Sequence, residues 1–211
     1  KLKEEMELIE EKVTLVSWNK EWSKFIRSRD VYNTISRIET TGNFVDYFSC
    51  DVTDVKSMSK LGKKIGKEIG KVTAIIHGAG IEESKLVKDK AWESFDSVVR
   101  VKVIGWSSLV LAAKSSGSSG IRFGVCFTSI AGRFGNGGQV DYAAANNILD
   151  AEMARMSAES GESIGLAIGW TGWKDVGMAT KGSIEKVFSE AGIETLSVNK
   201  GVNMFVQEIT K

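Results

Sequence analysis

A serine, a tyrosine and an asparagine follow one another in the segment Phe127 to Asn146, FTSIAGRFGNGGQVDYAAAN. Ser129 comes directly after a predicted strand, Tyr142 lies thirteen positions later near the start of a predicted helix, and Asn146 is four residues beyond it. A spacing of four puts Tyr142 and Asn146 on one helix face, where a serine on a loop can meet them. The chemistry open to such a set is proton transfer to an oxygen on which negative charge develops. Reducing a ketone needs a hydride donor at the carbonyl carbon and a proton donor at its oxygen, and Tyr142 is placed to give that proton. A free phenol has a pKa near 10, so a nearby cation that favours the phenolate would help it work at neutral pH. Lys102, in the helix preceding the Ser129 strand, is the candidate cation, and Ser129 would hold the carbonyl against Tyr142. Singly, each residue has a plainer reading: Ser129 as a turn residue or helix cap, Lys102 as a solvated charge, Tyr142 as a structural ring.

The elements that must position these groups read as alternating short apolar runs and longer amphipathic stretches, the pattern of parallel βαβ units. Strands are predicted at Lys12 to Ser17, Phe44 to Cys50, Val72 to His77, Arg122 to Thr128 and Ser163 to Gly169. Helices are predicted around Val31 to Thr41, Val55 to Ile69, Trp92 to Lys114 and Val140 to Ser160, with Val202 to Ile209 as a last helix. The expected fold is α/β, a Rossmann-like doubly wound parallel sheet with its ligand beyond the carboxyl ends of the strands. The chain opens on the helix-like stretch Lys1 to Glu11, so the first strand and the Gly-rich turn of such a sheet are missing from the sequence as read. All 211 residues are expected to form one incomplete domain.

Within that frame, Gly62, Gly66 and Gly70 stand four apart in GKKIGKEIGK and predict a locally weak, solvated helix end. The run Ser115 to Gly120, SSGSSG, reads as a flexible loop. Lys and Arg total 28 against 27 Asp and Glu, a net charge of +1 that gives no electrostatic case for nucleic acid or an anionic membrane surface. No apolar run of spanning length and no signal segment is present, so a cytoplasmic location is expected. Cys50 and Cys126 each sit in an apolar strand-like run and are expected to be buried, reduced core residues. His77 is the only histidine, and with no second histidine or paired cysteine no metal site is expected.

The segment FTSIAGRFGNGGQVDYAAAN, together with RVKVIGW around Lys102, resembles the ketoreductase domains of polyketide and polyunsaturated-fatty-acid synthases, within the short-chain dehydrogenase/reductase superfamily. In that family asparagine follows the tyrosine at the fourth position and the lysine comes from the earlier helix. The resemblance therefore implies Ser129, Tyr142, Lys102 and Asn146 as the catalytic set, and an NADPH-dependent reduction of a 3-ketoacyl thioester presented by an acyl carrier protein among other synthase domains. It runs from about Phe44 to Met178. KVTAIIHGAG is similar to the family's strand that ends at the cofactor, where Gly78, Ala79 and Gly80 would let the backbone approach a dinucleotide; a tight strand-to-loop turn is the alternative. In CDVTD the resemblance makes Asp51 and Val52 adenine contacts, with Asp51 equally placed to cap the next helix. Tyr142 and Lys102 would also touch the cofactor.

Lys20, after the predicted strand KVTLVS, stands where the family has an arginine for the ribose 2′-phosphate and would act as a point charge. Glu82, Glu83 and Ser84 occupy the place of a Leu-Asp-Asp motif tied to product stereochemistry, and Phe134 stands where the opposite stereochemical class has tryptophan. Gly169 to Ala179 resembles the family's loop beside nicotinamide and substrate, with Gly172 where a proline is usual. Glu83, Phe134, Trp173 and Met178 are the expected substrate neighbours, although packing alone would also explain Trp170 and Trp173. Ser183 to Ala191 would be a lid. GSSGIRFG, residues 117 to 124, fails the context test for the phosphate-binding turn because it precedes a strand. The residues present should therefore bind cofactor poorly.

Overall fold

A computed structural model describes residues 14–160, 163–174, 176–177 and 192–210, which belong to two compact units divided between Ser49 and Cys50. In the first unit, helix α1 spans Leu15–Glu39. Its start is set by a reciprocal capping box: Thr14 Oγ1 accepts the Ser17 N–H at 3.1 Å while the Thr14 N–H donates to Ser17 Oγ at 3.0 Å. Trp18, Trp22 and Phe25 stack along one face with centroids 5.9 and 5.6 Å apart. The strand predicted at Lys12 to Ser17 is thus corrected: Leu15 to Ser17 are helical, because the cap and the ring spacing outweigh a short β-branched run. Lys20 accordingly sits within α1, exposed, rather than after a strand.

The strand predicted at Phe44 to Cys50 is corrected too. The segment alternates like a strand but is not part of a strand among the described residues, and Phe44 and Tyr47 are exposed. Alternation signals a strand only where a neighbour takes up its backbone groups.

The second unit is α/β and Rossmann-like. Helix α2 (Val55–Glu68) precedes β1 (Ala74–His77), α3 (Trp92–Ser115) and β2 (Phe123–Ser129). Then come the short α4 (Ile130–Phe134), α5 (Val140–Ser160), β3 (Ile164–Trp170) and α6 (Val198–Ile209). The three strands form a parallel sheet in the order β1-β2-β3, with His77 beside Cys126 and Ser129 beside Trp170. Ile75 and His77 face inward while Ile76, on the opposite face of β1, is exposed. The core gathers Ile75, Cys126, Trp106, Ala113, Leu149 and Met153, which joins the sheet to α3 and α5. Burying such side chains supplies about 25 cal/mol per Å² of apolar surface.

Two loose-looking segments are tight. Gly62 is buried, and a Cβ there would lie 2.1 Å from the Ala112 carbonyl oxygen; one at Gly66 would lie 2.4 Å from that of Ser116. These glycines let the backbones of α2 and α3 touch, which corrects the reading of a weak, solvated helix end. Only Gly70, at φ +141°, acts as a terminator. In SSGSSG, the buried Ser116 hydroxyl accepts the Val72 N–H at 3.0 Å and donates to the Ala113 carbonyl at 2.7 Å. It pins the end of α3 to the entry of β1. Of the cysteines, Cys126 is buried but Cys50 is exposed, because its expected strand does not form; both are free. No helix among the described residues is long and apolar enough to cross a membrane.

Candidate active site

The carboxyl ends of β1 and β2 bring the predicted set together. Ser129 ends β2 and caps α4: its Oγ accepts the Ala131 N–H at 3.2 Å, so the cap reading is correct as geometry and leaves the hydroxyl proton free to donate. Tyr142 is the third residue of α5, half-buried. Asn146, one turn on, is fully buried and donates from Nδ2 to the Tyr142 carbonyl at 2.7 Å, while its Oδ1 has no hydrogen-bond partner among the described residues. A Cβ on Gly132 would come within 2.8 Å of the Asn146 Cβ, so this glycine lets α4 close over the asparagine.

Lys102 is 3% exposed, which overturns the solvated-charge alternative. Its Nζ donates to the Phe127 carbonyl at 3.0 Å and stands 5.5 Å from the centroid of the Tyr142 ring. The imidazole of His77 is engaged as well. Buried at 1% exposure, Nε2 lies 2.9 Å from the Lys102 carbonyl and must donate to it, the carbonyl being an acceptor only. Gly105 makes room for it, since a Cβ there would sit 3.0 Å from His77 Cε1.

The electrostatics follow from burial. Burial pushes the Lys102 ammonium down to about 8, against attraction from Cys126 and Asp150. Burial raises the Tyr142 phenol, hydrogen bonding from Asn146 and Ser129 opposes the rise, and the negative charge of Glu82 adds to it. A phenol that keeps its proton beside a cation that stabilises its anion is a competent proton donor.

Lys102 also has a cost in stability. The folded state holds this group near 8 and the unfolded chain near 10.5, so the unfolded chain binds more protons between those values. Stability therefore rises with pH across that window, and below it the penalty is fully present, about 3 kcal/mol at 1.36 kcal/mol per pKa unit. Lys102→Met should raise the urea midpoint at pH 7. The wild-type protein should gain on the variant as pH goes from about 8 to about 10. A constant difference between the two across that range would contradict a buried cation.

The remaining predicted residues separate. Gly80 packs on the lysine, a Cβ there lying 3.3 Å from Lys102 Cε; Gly78 is exposed, and Ala79 is half-buried between them. Asp51 accepts the Thr53 N–H and hydroxyl, both at 2.8 Å, and these bonds hold its carboxyl below the usual range. The cap of α2 is Asp54 instead, which accepts the Ser57 N–H at 3.1 Å. Val52 is half-buried against Gly105. Glu83 accepts from Ser94 at 2.7 Å and pairs with Lys85. Phe134 is 77% exposed at the end of α4.

Trp173 meets Trp170 edge-on at 5.0 Å, and its ring fills the space a Cβ on Gly201 would occupy, so it packs α6. Met178, the lid Ser183 to Ala191 and the opening helix Lys1 to Glu11 lie outside the described residues. Sequence reasoning missed the role of His77 and a buried ion pair between Lys90 and Asp141, which no local spacing announces.

This geometry has a family. The family model described as KR domain matches residues 11–175. The chain belongs to the KR domain family. It is 31% identical over 177 residues to a polyunsaturated fatty acid synthase polypeptide of Thraustochytrium sp. (strain ATCC 26185 / S-3), covering 83% of this chain and 6% of that one. Against polyketide synthase PksN of Bacillus subtilis (strain 168) it is 29% identical over 182 residues, 83% of this chain and 3% of the synthase. The KR chain thus spans a small fraction of these relatives.

Among solved structures it is similar to a ketoreductase domain from the bacillaene assembly line, with a TM-score of 0.73 and 30% identity over 86% of this chain and 44% of that one. A short-chain dehydrogenase from Streptomyces avermitilis shares the fold, with a TM-score of 0.58 at 16% identity over 66% of this chain and 52% of that one.

Proposed function

We propose that this KR domain reduces the 3-keto group of a carrier-protein-bound 3-ketoacyl thioester to the 3-hydroxyacyl thioester, using NADPH. The observation that carries the reading is the buried Lys102 ammonium over the Tyr142 ring, with the Ser129 hydroxyl at the same phenol. The residues beyond β1 fit the nicotinamide end of a dinucleotide. Gly78 and Gly80 leave backbone open beside Lys102, whose Nζ has one hydrogen bond to protein and two further N–H groups to give. Gly78, Ala79, Gly80, Lys102 and Tyr142 would hold that end, with Asp51 and Val52 at the adenine. A nicotinamide held there would supply the hydride for the carbonyl carbon.

Ser129, whose oxygen already accepts from Ala131, donates its hydroxyl hydrogen to the substrate carbonyl and holds it for attack. Tyr142 passes its phenolic proton to the same oxygen as charge builds there, and the Lys102 cation stabilises the phenolate left behind. Asn146 holds the first turn of α5, so that the tyrosine stays aimed at the serine. Glu83, Phe134, Trp173 and Met178 are proposed to border the acyl chain. The similarity to synthases supports other synthase domains and an acyl carrier protein as partners. A cytoplasmic location belongs to the same reading, which the two free thiols support.

The test is NADPH oxidation by the complete polypeptide with a 3-ketoacyl thioester, followed by identification of the product. The 3-hydroxyacyl thioester should form with NADPH consumed in equal amount, and NADH should serve at least about tenfold less well. No alcohol from a folded, cofactor-binding protein would instead support a structural role within a synthase.

A further inference from the structure

Lys90 and Asp141 form a salt bridge with Nζ 2.7 Å from Oδ2 and side chains only 3% and 1% exposed. Two charges out of water cost more than a surface pair, and such a pair persists where further hydrogen bonds satisfy both ends. Both ends have one. Asp141 Oδ1 accepts the Tyr142 N–H at 2.9 Å, a donor that in the first turn of α5 has no intrahelical acceptor. Lys90 Nζ donates to the Glu83 carbonyl at 2.7 Å. The chain of contacts runs from the backbone of Tyr142 to the backbone of Glu83.

The same two segments are joined again nearby. Gln139 Nε2 donates to Glu82 Oε1 at 3.0 Å and to Ser84 Oγ at 3.2 Å, and the Lys85 N–H donates to the Gly138 carbonyl at 2.9 Å. Glu82 and Glu83, with Ile81 and Val98, also line a cavity of about 340 Å³. The Glu82 carboxylate is near enough for its charge to act on the Tyr142 phenol, so a ketone whose oxygen is held at Tyr142 has this segment beside it as a wall. The relative placement of tyrosine and wall then decides which carbonyl face is presented.

We infer that the buried Lys90–Asp141 pair is a positioning device that locks Tyr142 to the Glu82–Glu83 segment and so fixes the configuration of the alcohol. The inference rests on the reductase reading above. Asp141 touches no reacting atom; it acts through the backbone of Tyr142.

The experiment compares wild type, Lys90→Met, Asp141→Asn and the double variant Lys90→Met/Asp141→Leu in the complete polypeptide. Readouts are amide hydrogen exchange at 82–85 and 138–142, thermal midpoint, kcat and KM with a 3-ketoacyl thioester, and product configuration. Each single variant should speed exchange in both segments together by about tenfold or more. It should also lower kcat by about tenfold with KM within about threefold, and release both alcohol configurations. The double variant removes both charges and fills the space, so its thermal midpoint should return near wild type while the mixed configuration remains.

Exchange that rises only in the mutated segment, or a double variant that recovers one pure configuration along with its stability, would overturn the inference. A wild-type protein that makes no alcohol would sink the reductase reading, while the coupling of exchange would still decide whether the pair joins the two segments.

Discussion

Tyr142→Phe should lower kcat for ketone reduction by about 10²–10⁴-fold, the usual size of a lost general acid, and leave KM for the thioester nearly unchanged. The substitution is selective because so little else depends on the phenolic oxygen. The ring stays, and with it the contact to the Lys102 ammonium, which stands over the face at 5.5 Å from the centroid. Asn146 donates to the carbonyl of residue 142, which the substitution spares, and Asp141 likewise bonds its N–H. Loss of the oxygen therefore removes the proton donor and a hydrogen-bond partner that Asn146 and Ser129 share, while the backbone bonds of the helix start remain.

Single-turnover measurement with saturating cofactor separates the chemical step from product release. A rate equal to wild type would mean that the proton comes from elsewhere, with Ser129 or water as the remaining candidates. Ser129→Ala is a less clean probe, because its Oγ also caps α4. Part of its effect would be conformational.

The contrast between these two residues shows what the sequence could and could not reveal. Ser129, Tyr142 and Asn146 were legible because they lie within one short segment, where a strand end and a helix spacing of four already fix their mutual placement. Lys102 could be named as a candidate from the need for a cation, but its solvated-charge alternative stayed open, since only the packing of α3 against β2 carries its Nζ to the Phe127 carbonyl. The pairing of Lys90 with Asp141, 51 positions apart, left no trace in periodicity or composition.

The same division holds for the fold. β1, β2 and β3 emerged within two residues of their predicted ends because apolar runs facing a buried core are dictated locally. KVTLVS and FVDYFSC carry a similar local signal, yet Leu15 to Ser17 of the first are helical and the second is not part of a strand among the described residues. Strand formation depends on a neighbour that a local pattern does not contain. His77 makes the point from the other side. Its imidazole holds the Lys102 carbonyl only because Gly105 is missing a Cβ one turn along α3, a coincidence of two elements that neither segment reports alone.

Gly62→Val should be the most destabilising of the simple substitutions in the second unit, at about 3 kcal/mol, and Gly62→Ala should cost about 1–2 kcal/mol. Helix propensity alone argues the opposite sign, since alanine in a helix interior is worth about 1 kcal/mol over glycine. Geometry decides the matter. The added Cβ of residue 62 would lie 2.1 Å from the Ala112 carbonyl oxygen and 2.7 Å from its Cα. Both are backbone atoms of a neighbouring helix, which cannot swing aside as a side chain end would.

The helices would have to separate, and the separation would reach the site. α3 carries Lys102 ten residues before Ala112, and the whole helix is packed between α2 and the sheet core. Gly137→Ala supplies the comparison, because a Cβ there meets nothing within 4 Å. Thermal unfolding should show Gly137→Ala within about 1 °C of wild type and Gly62→Ala lower by roughly 2–8 °C, at about 2–4 °C per kcal/mol for a protein of this size. Equal midpoints for the two alanine variants would mean that α2 and α3 stand further apart than backbone contact, and that the glycines four apart mark a weak helix after all.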